Sequence, residues 1–185
     1  MSEEKVEVVR TPMTTTAHPR RRLEERIALR FPRLFDFFAR AIWRLPKSRL
    51  RRALVRRSMR VAWEAFNRGD LEVTFLPYHP DCQSTFDPKM TTLGLEPGTH
   101  SLDERIRFQQ RVIDEWDEFR FEPSELIESG DRLLSIGRMR FTGRSSGVPV
   151  DTEWVAILTT LDGRVVREQI FLDHAEALEA AGLSE

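Results

Sequence analysis

Residues 120–172 read RFEPSELIESGDRLLSIGRMRFTGRSSGVPVDTEWVAILTTLDGRVVREQIFL, and this stretch decides the fold. It divides into four runs rich in β-branched and aromatic residues: Arg120 to Glu128, Arg132 to Thr142, Val150 to Thr160 and Val165 to Leu172. Ser129-Gly130-Asp131, Ser145-Ser146-Gly147 and Asp162-Gly163 separate them, and their glycines suit tight hairpin turns. The pattern predicts an antiparallel meander of strands. Downstream, Asp173 can cap a final helix with Glu176 three residues on; that helix runs to Ala181 and stops at Gly182.

Upstream the period changes. Ser101 and Glu104 form a Ser-x-x-Glu capping box, and Leu102, Ile106, Gln109, Ile113 and Trp116 follow at helical steps. Before them, Asp87 to His100 holds two prolines and two glycines and reads as a loop, preceded by a strand from Cys82 to Phe86 and a turn at Tyr78-His79-Pro80-Asp81. Leu71 to Leu76 reads as a short helix. Leu23, Ile27, Phe31, Leu34, Phe38, Ile42 and Leu45 make an amphipathic stripe that Pro32 and Pro46 interrupt. A proline suits the first turn of a helix, so helices are expected near 20–30, 33–45 and 47–68. Residues 1–18, polar and Thr-rich, are expected to be a disordered tail, 19–46 a basic helical extension, and 47–185 the main domain.

The chain of 185 residues is 40% hydrophobic and 32% charged, enough for one domain with a sizeable core. Its longest apolar runs, such as Trp154 to Leu158, fall far short of the roughly 20 residues that span a bilayer. The lone Cys82 excludes an internal disulfide, and no signal-like apolar stretch opens the sequence, so the reading is cytoplasmic. The net charge of −1 conceals an asymmetry: residues 18–60 carry 15 Lys and Arg against 3 acids, while residues 61–185 carry 12 against 24. Arg49, Arg52, Arg56, Arg57 and Arg60 share one face of the third helix. Two readings follow: a basic arm for a membrane surface or nucleic acid, or, preferred on charge balance, a segment docked on the acidic remainder or on a partner subunit.

Helices, one short strand, a helix and a meander make an α+β plan. From about Leu50 to Leu183 the chain resembles the SnoaL-like branch of the nuclear transport factor 2 superfamily. The resemblance is carried by Ala65-Phe66-Asn67-Arg68-Gly69-Asp70-Leu71, His79-Pro80-Asp81, the Gly143 to Gly147 hairpin, Asp162-Gly163-Arg164-Val165-Val166, Leu172-Asp173-His174-Ala175-Glu176-Ala177-Leu178 and Ala181-Gly182-Leu183. It implies a cone of helices on a curved, mostly antiparallel sheet around a pocket, and commonly a homodimer. Polyketide cyclases, ketosteroid isomerases and limonene-epoxide hydrolases share that fold, so chemistry must be argued from the pocket.

By resemblance, Val166, Glu168, Ile170 and Leu172 face the pocket, making Glu168 the candidate acid or base. Epoxide hydrolases place an Arg and an Asp near Arg138 and Arg140, so Arg138 is a candidate for holding a substrate oxygen, while the missing Asp argues against epoxide opening. Ile170 stands where such an enzyme has an acid, and Ala156 where isomerases carry a base or His. Arg138 and Glu168 form either a catalytic pair or a structural ion pair. Phe86, Gln109, Trp116, Arg140, Trp154 and Ile170 are the candidate ligand contacts. The four histidines and Cys82 show no ligand spacing, and no glycine loop cradles phosphate, so no metal or cofactor is expected. The leading function is binding, and turnover by acid/base chemistry, of a small apolar molecule such as a polyketide, steroid or terpene. The alternative is a catalytically inert dimeric interaction module.

Overall fold

A computed structural model describes residues 8–13, 20–93 and 96–183, with the backbone alone for Glu118. In chain order the elements are β1 (Val8–Pro12), α1 (Leu23–Arg30), α2 (Pro32–Arg44), α3 (Arg49–Asn67), α4 (Leu71–Thr74), β2 (Tyr78–Phe86), a 3-10 helix (Pro88–Leu93), β3 (Gly98–Ser101), α5 (Leu102–Glu115), β4 (Trp116–Ser129), β5 (Arg132–Gly143), β6 (Pro149–Leu161), β7 (Arg164–Phe171) and α6 (His174–Ala180). The strands form one sheet in the order β1-β4-β5-β6-β7-β2-β3, in which only the β2–β7 pair is parallel. The meander and the α+β plan stand as expected.

Three expectations change. Within the stretch read as a disordered tail, Val8–Pro12 pairs with β4, because that long strand offers a free edge from Glu125 to Ser129; residues 1–7 and 14–18 lie outside the described residues. Tyr78-His79-Pro80-Asp81 belongs to β2 rather than to a turn, since Tyr78 pairs with Val165 across a parallel contact nearly 90 residues away in sequence. The stretch read as the loop 87–100 contains the 3-10 helix and β3, which pairs with β2 from Gln83 to Phe86.

The sheet buries both faces. On one, Phe121, Leu126, Leu133, Met139, Phe141, Trp154, Ala156, Leu158 and Ile170 pack with side chains of α3 and α5. On the other, Ile127, Leu134, Ile136, Val155 and Ile157 meet Ala177 of α6 and Ala181, which caps its end. Ser101 and Glu104 form the expected capping box on α5, and Asp173 accepts from the Glu176 amide to cap α6.

The Asn67-Arg68-Gly69-Asp70 junction fixes α3 against the sheet. Asn67 Oδ1 accepts from the Phe121 amide at 2.7 Å and its Nδ2 donates to the Phe121 carbonyl at 2.9 Å, so one side chain substitutes for a strand neighbour. Gly69, at φ 74°, ends the helix: its amide donates to the Phe66 carbonyl and the Asp70 amide to the Ala65 carbonyl, a Schellman closure needing the left-handed conformation.

The N-terminal helices sit on this body through complementary charge. Arg22 meets Glu64 at 2.6 Å, Arg68 meets Glu25 at 2.9 Å, Arg21 bonds Asp70 and Glu72 at 2.7 Å each, and Arg164 pairs with Asp36. Arg51 is buried and paired with Glu128 at 3.0 Å. Gly163 lets α2 approach the β6–β7 turn, for a Cβ there would lie 2.5 Å from the Ala39 carbonyl carbon.

Candidate functional site

The strongest site candidate is a cavity of about 480 Å³ beneath the N-terminal helices. Phe31, Leu34, Phe38 and Ile42 wall it from α1–α2 and the loop between them; Leu54, Met59, Trp63 and Phe66 wall it from α3. Leu133, Leu158 and Val165 provide the sheet wall. One end is polar: there Tyr78, Arg105 and Glu168 converge.

Glu168 is carried inward by the alternation of β7 and is 2% exposed. Its Oε1 accepts from the Tyr78 hydroxyl at 2.8 Å; its Oε2 accepts from Ser84 Oγ at 2.7 Å and Arg105 Nε at 2.9 Å. Three elements therefore meet on one carboxylate: β7, β2 through both its start and its centre, and α5. A carboxylate offers about four acceptor positions, so roughly one, on Oε1, is left for a ligand. Arg105 Nη1 donates to Gln109 Oε1 at 3.0 Å, and its guanidinium lies over Phe75, Phe86 and Phe108 at 5.2, 5.5 and 5.8 Å. The aromatic faces stabilise a cation that has lost its water. Two of its five N–H donors are thus engaged, and among the described residues it makes no further hydrogen bond.

Burial pushes the Tyr78 phenol well above its ordinary value of 10, and the Glu168 charge adds to the effect. Tyr78 is therefore a neutral hydroxyl throughout the physiological range. Burial likewise lifts the Cys82 thiol to about 12, so the cysteine is an unreactive core residue.

Of the sequence candidates, Glu168 lies in the cavity wall as expected. Its cationic partner is Arg105, not Arg138. Arg138 and Arg140 point out from the opposite face of the sheet, where both bond Asp151, at 2.7 and 3.2 Å, and Arg140 also meets Glu122 at 3.0 Å. The register explains this: Trp154 faces the core and pairs with Gly137, so the next residue, Arg138, must face the other way. Phe86, Gln109, Trp154 and Ile170 are buried and Trp116 is half-buried; these five pack in the core beside the cavity rather than forming its wall. Val166, expected inward, is the unpaired residue of a bulge in β7 opposite Thr159 and Thr160, and Val165 faces the cavity instead.

Arg105, Tyr78 and Ser84 escaped sequence reasoning. Arg105 lies four residues before Gln109, within the Arg105, Phe108, Gln109, Val112 stripe that α5 buries. A charge inside an apolar helical stripe was the available signal. Tyr78 and Ser84 carried none, since the parallel β2–β7 pairing that delivers them is non-local.

The family model for the SnoaL-like domain matches residues 59–168. Among solved structures, a nuclear transport factor 2-like protein of unknown function from Burkholderia pseudomallei is 33% identical, over 66% of this chain and 93% of that one, with a TM-score of 0.56. TerC, whose crystals contained polyporic acid, is 25% identical over 66% of this chain and 94% of its own, at a TM-score of 0.55. IdmH, a candidate polyketide cyclase from Streptomyces antibioticus, shares the fold at 20% identity, over 68% of this chain and 96% of that one, at a TM-score of 0.54. No curated protein matches the chain. The matched segment opens in α3 at Met59 and closes at Glu168, so it spans the carboxylate and each of its three donors: the chain belongs to the SnoaL-like domain family.

Proposed function

We propose that the protein binds a small apolar molecule of polyketide, steroid or terpene type in this cavity, with an oxygen of the ligand at Tyr78, Arg105 and Glu168. The observation that carries the reading is a buried carboxylate–guanidinium–phenol cluster at one end of a largely apolar cavity of about 480 Å³, a size and polarity that suit such ligands. The crystallisation of TerC with a small molecule agrees with it.

The same cluster supports acid/base turnover. Glu168 would accept a proton from the ligand through the free position on Oε1, while the spare N–H groups of Arg105 would hold the oxygen on which negative charge develops and the Tyr78 hydroxyl, which donates to Glu168, would hold the carboxylate in place. Isomerisation, cyclisation and hydration all fit that division of labour. Mass spectrometry of small molecules retained through purification identifies the ligand. With it in hand, Glu168→Gln should lower turnover by about 10²-fold or more while the protein stays folded; unchanged turnover would remove Glu168 from the reaction.

A second reading, a catalytically inert binding module, is favoured by one observation: three donors already occupy the Glu168 carboxylate. It predicts binding without turnover. A cytoplasmic homodimer completes the proposal. The single buried free thiol suits a reducing compartment, and sedimentation at micromolar concentration should show a dimer, with monomer alone counting against it.

A further inference from the structure

Of the eleven large apolar side chains exposed among the described residues, eight lie between Leu23 and Leu50. Leu23, Ile27, Phe31, Leu34, Phe37 and Phe38 form the centre of this group, and α2, rich in aromatics, has no buried residue at all. Ile27, Phe31, Leu34 and Phe38 also line the cavity, so the exposed patch surrounds its mouth. At about 100° per residue, Phe37 lies within roughly 40° of Arg33 and Arg44 on one side and within roughly 100° of Leu34 and Phe38 on the other. Phe37 and Phe38 pack edge to face with ring centroids 5.7 Å apart. On the same helices and the turn before α3, Arg26, Arg30, Arg33, Lys47, Arg49 and Arg56 are exposed and make no ion pair among the described residues.

Such a surface is costly to leave in water. We propose that the face formed by α1, α2 and the start of α3 docks on an anionic lipid bilayer, with Phe31, Phe37 and Leu23 entering the acyl boundary and the arginines meeting lipid headgroups. This goes beyond the ligand reading and does not depend on it.

Charge selects the occupant. A second copy pairing through this face about a twofold axis would set the same cations against one another. Nucleic acid would satisfy the arginines but leave the aromatic side chains in water. An anionic bilayer meets both the charge and the apolar surface, as interfacial amphipathic helices do. No helix among the described residues is long and apolar enough to cross a membrane, so the face lies on the bilayer. In that pose the cavity mouth opens onto the hydrocarbon region.

The test is co-sedimentation of the full chain with vesicles of phosphatidylserine and phosphatidylcholine, mixed in about a 1:3 ratio, and with phosphatidylcholine alone. Binding should require the anionic lipid and weaken as salt rises. Phe37 is 65% exposed and outside the cavity wall, so Phe37→Ser tests the patch without disturbing the core. It should weaken binding about tenfold or more, and Arg33→Gln about fivefold, with unchanged circular dichroism. Absence of vesicle binding, equal binding to neutral vesicles, or indifference to both substitutions would overturn the proposal. So would DNA binding without vesicle binding, or a dimer that Phe37→Ser dissociates. Ligand retention by a protein that ignores vesicles would sink the docking and leave the ligand reading standing; vesicle binding by a protein with no ligand would do the reverse.

Discussion

Arg105→Met should destabilise the protein severely, and Glu168→Gln should rescue it. The two side chains are each 3% exposed and meet at 2.9 Å. Methionine fills most of the arginine's volume but leaves the carboxylate buried without its cation, with only the Tyr78 and Ser84 hydroxyls as donors. Breaking a buried pair on one side costs about 3–5 kcal/mol. For a chain of this size, that lowers the melting temperature by about 6–20 °C. In the double variant no charge is stranded, and the amide oxygen introduced by Glu168→Gln can still accept from a hydroxyl, so the loss should fall to about 1–2 kcal/mol. The cycle therefore predicts a coupling of at least about 2 kcal/mol. Urea unfolding of the four proteins at constant m-value reads it directly. Arg138→Met is the control: its pair with Asp151 is about half exposed, so water already screens it and its loss should change stability far less. Additive effects in the cycle, or a loss from Arg105→Met no larger than the control's, would refute the assignment of Arg105 as the cation that holds Glu168.

Other outcomes follow from the same geometry. Tyr78 is the chain's single tyrosine, so tyrosinate absorbance reports on it alone. Its raised folded value means that the neutral phenol's contribution is complete below pH 10 and is lost as pH rises from there towards the folded value. Titration should thus show no ionisation at pH 10 until the protein unfolds, and Tyr78→Phe should flatten the alkaline loss of stability. Cys82, also single, should resist thiol reagents in the native state and react fully in denaturant; fast native reaction would contradict its placement in the core. Deleting residues 1–46 removes the pairs of Arg22 with Glu64, Glu25 with Arg68 and Arg21 with Asp70, and uncovers the cavity. A loss of about 2–3 kcal/mol should lower the melting temperature by about 4–12 °C, and a truncated protein of equal stability would show that the extension is not part of the folded unit.

What was legible depended on how local each signal is. The helices follow the three-and-four spacing of their apolar residues, and the two prolines that interrupt the stripe mark helix starts, Pro32 opening α2 and Pro46 lying just before α3. The meander is readable because each strand pairs with its sequence neighbour. β1 and β3 were missed because their partners are remote or their composition suggests turns. Facing errors arose where both sheet faces are buried. From Leu133 to Gly137 every residue is buried, so alternation fades. The alternation of Arg138, Met139, Arg140 and Phe141 did carry the answer, with the arginines out and the apolar side chains in. Resemblance pointed the other way, and the local pattern was correct. Glu168 was readable as a charge on an inward-facing strand position, but its partner on α5 could be fixed only by packing.

The central claim is that the cavity takes one apolar molecule with its oxygen at the Tyr78, Arg105 and Glu168 end. Calorimetric titration of the protein with a panel of hydroxylated and keto-substituted polycyclic compounds tests it most directly, with Ala62→Phe as comparison, since Ala62 lines the cavity and a ring there takes up space a polycyclic ligand needs. The account predicts saturable binding of at least one compound at one per chain. At ligand concentrations about 100-fold above Kd the gain is about 2.7 kcal/mol, a rise in melting temperature of about 5–11 °C. Both effects should weaken sharply in a folded Ala62→Phe protein. No binding by the wild-type chain, or binding that Ala62→Phe leaves intact, would contradict it.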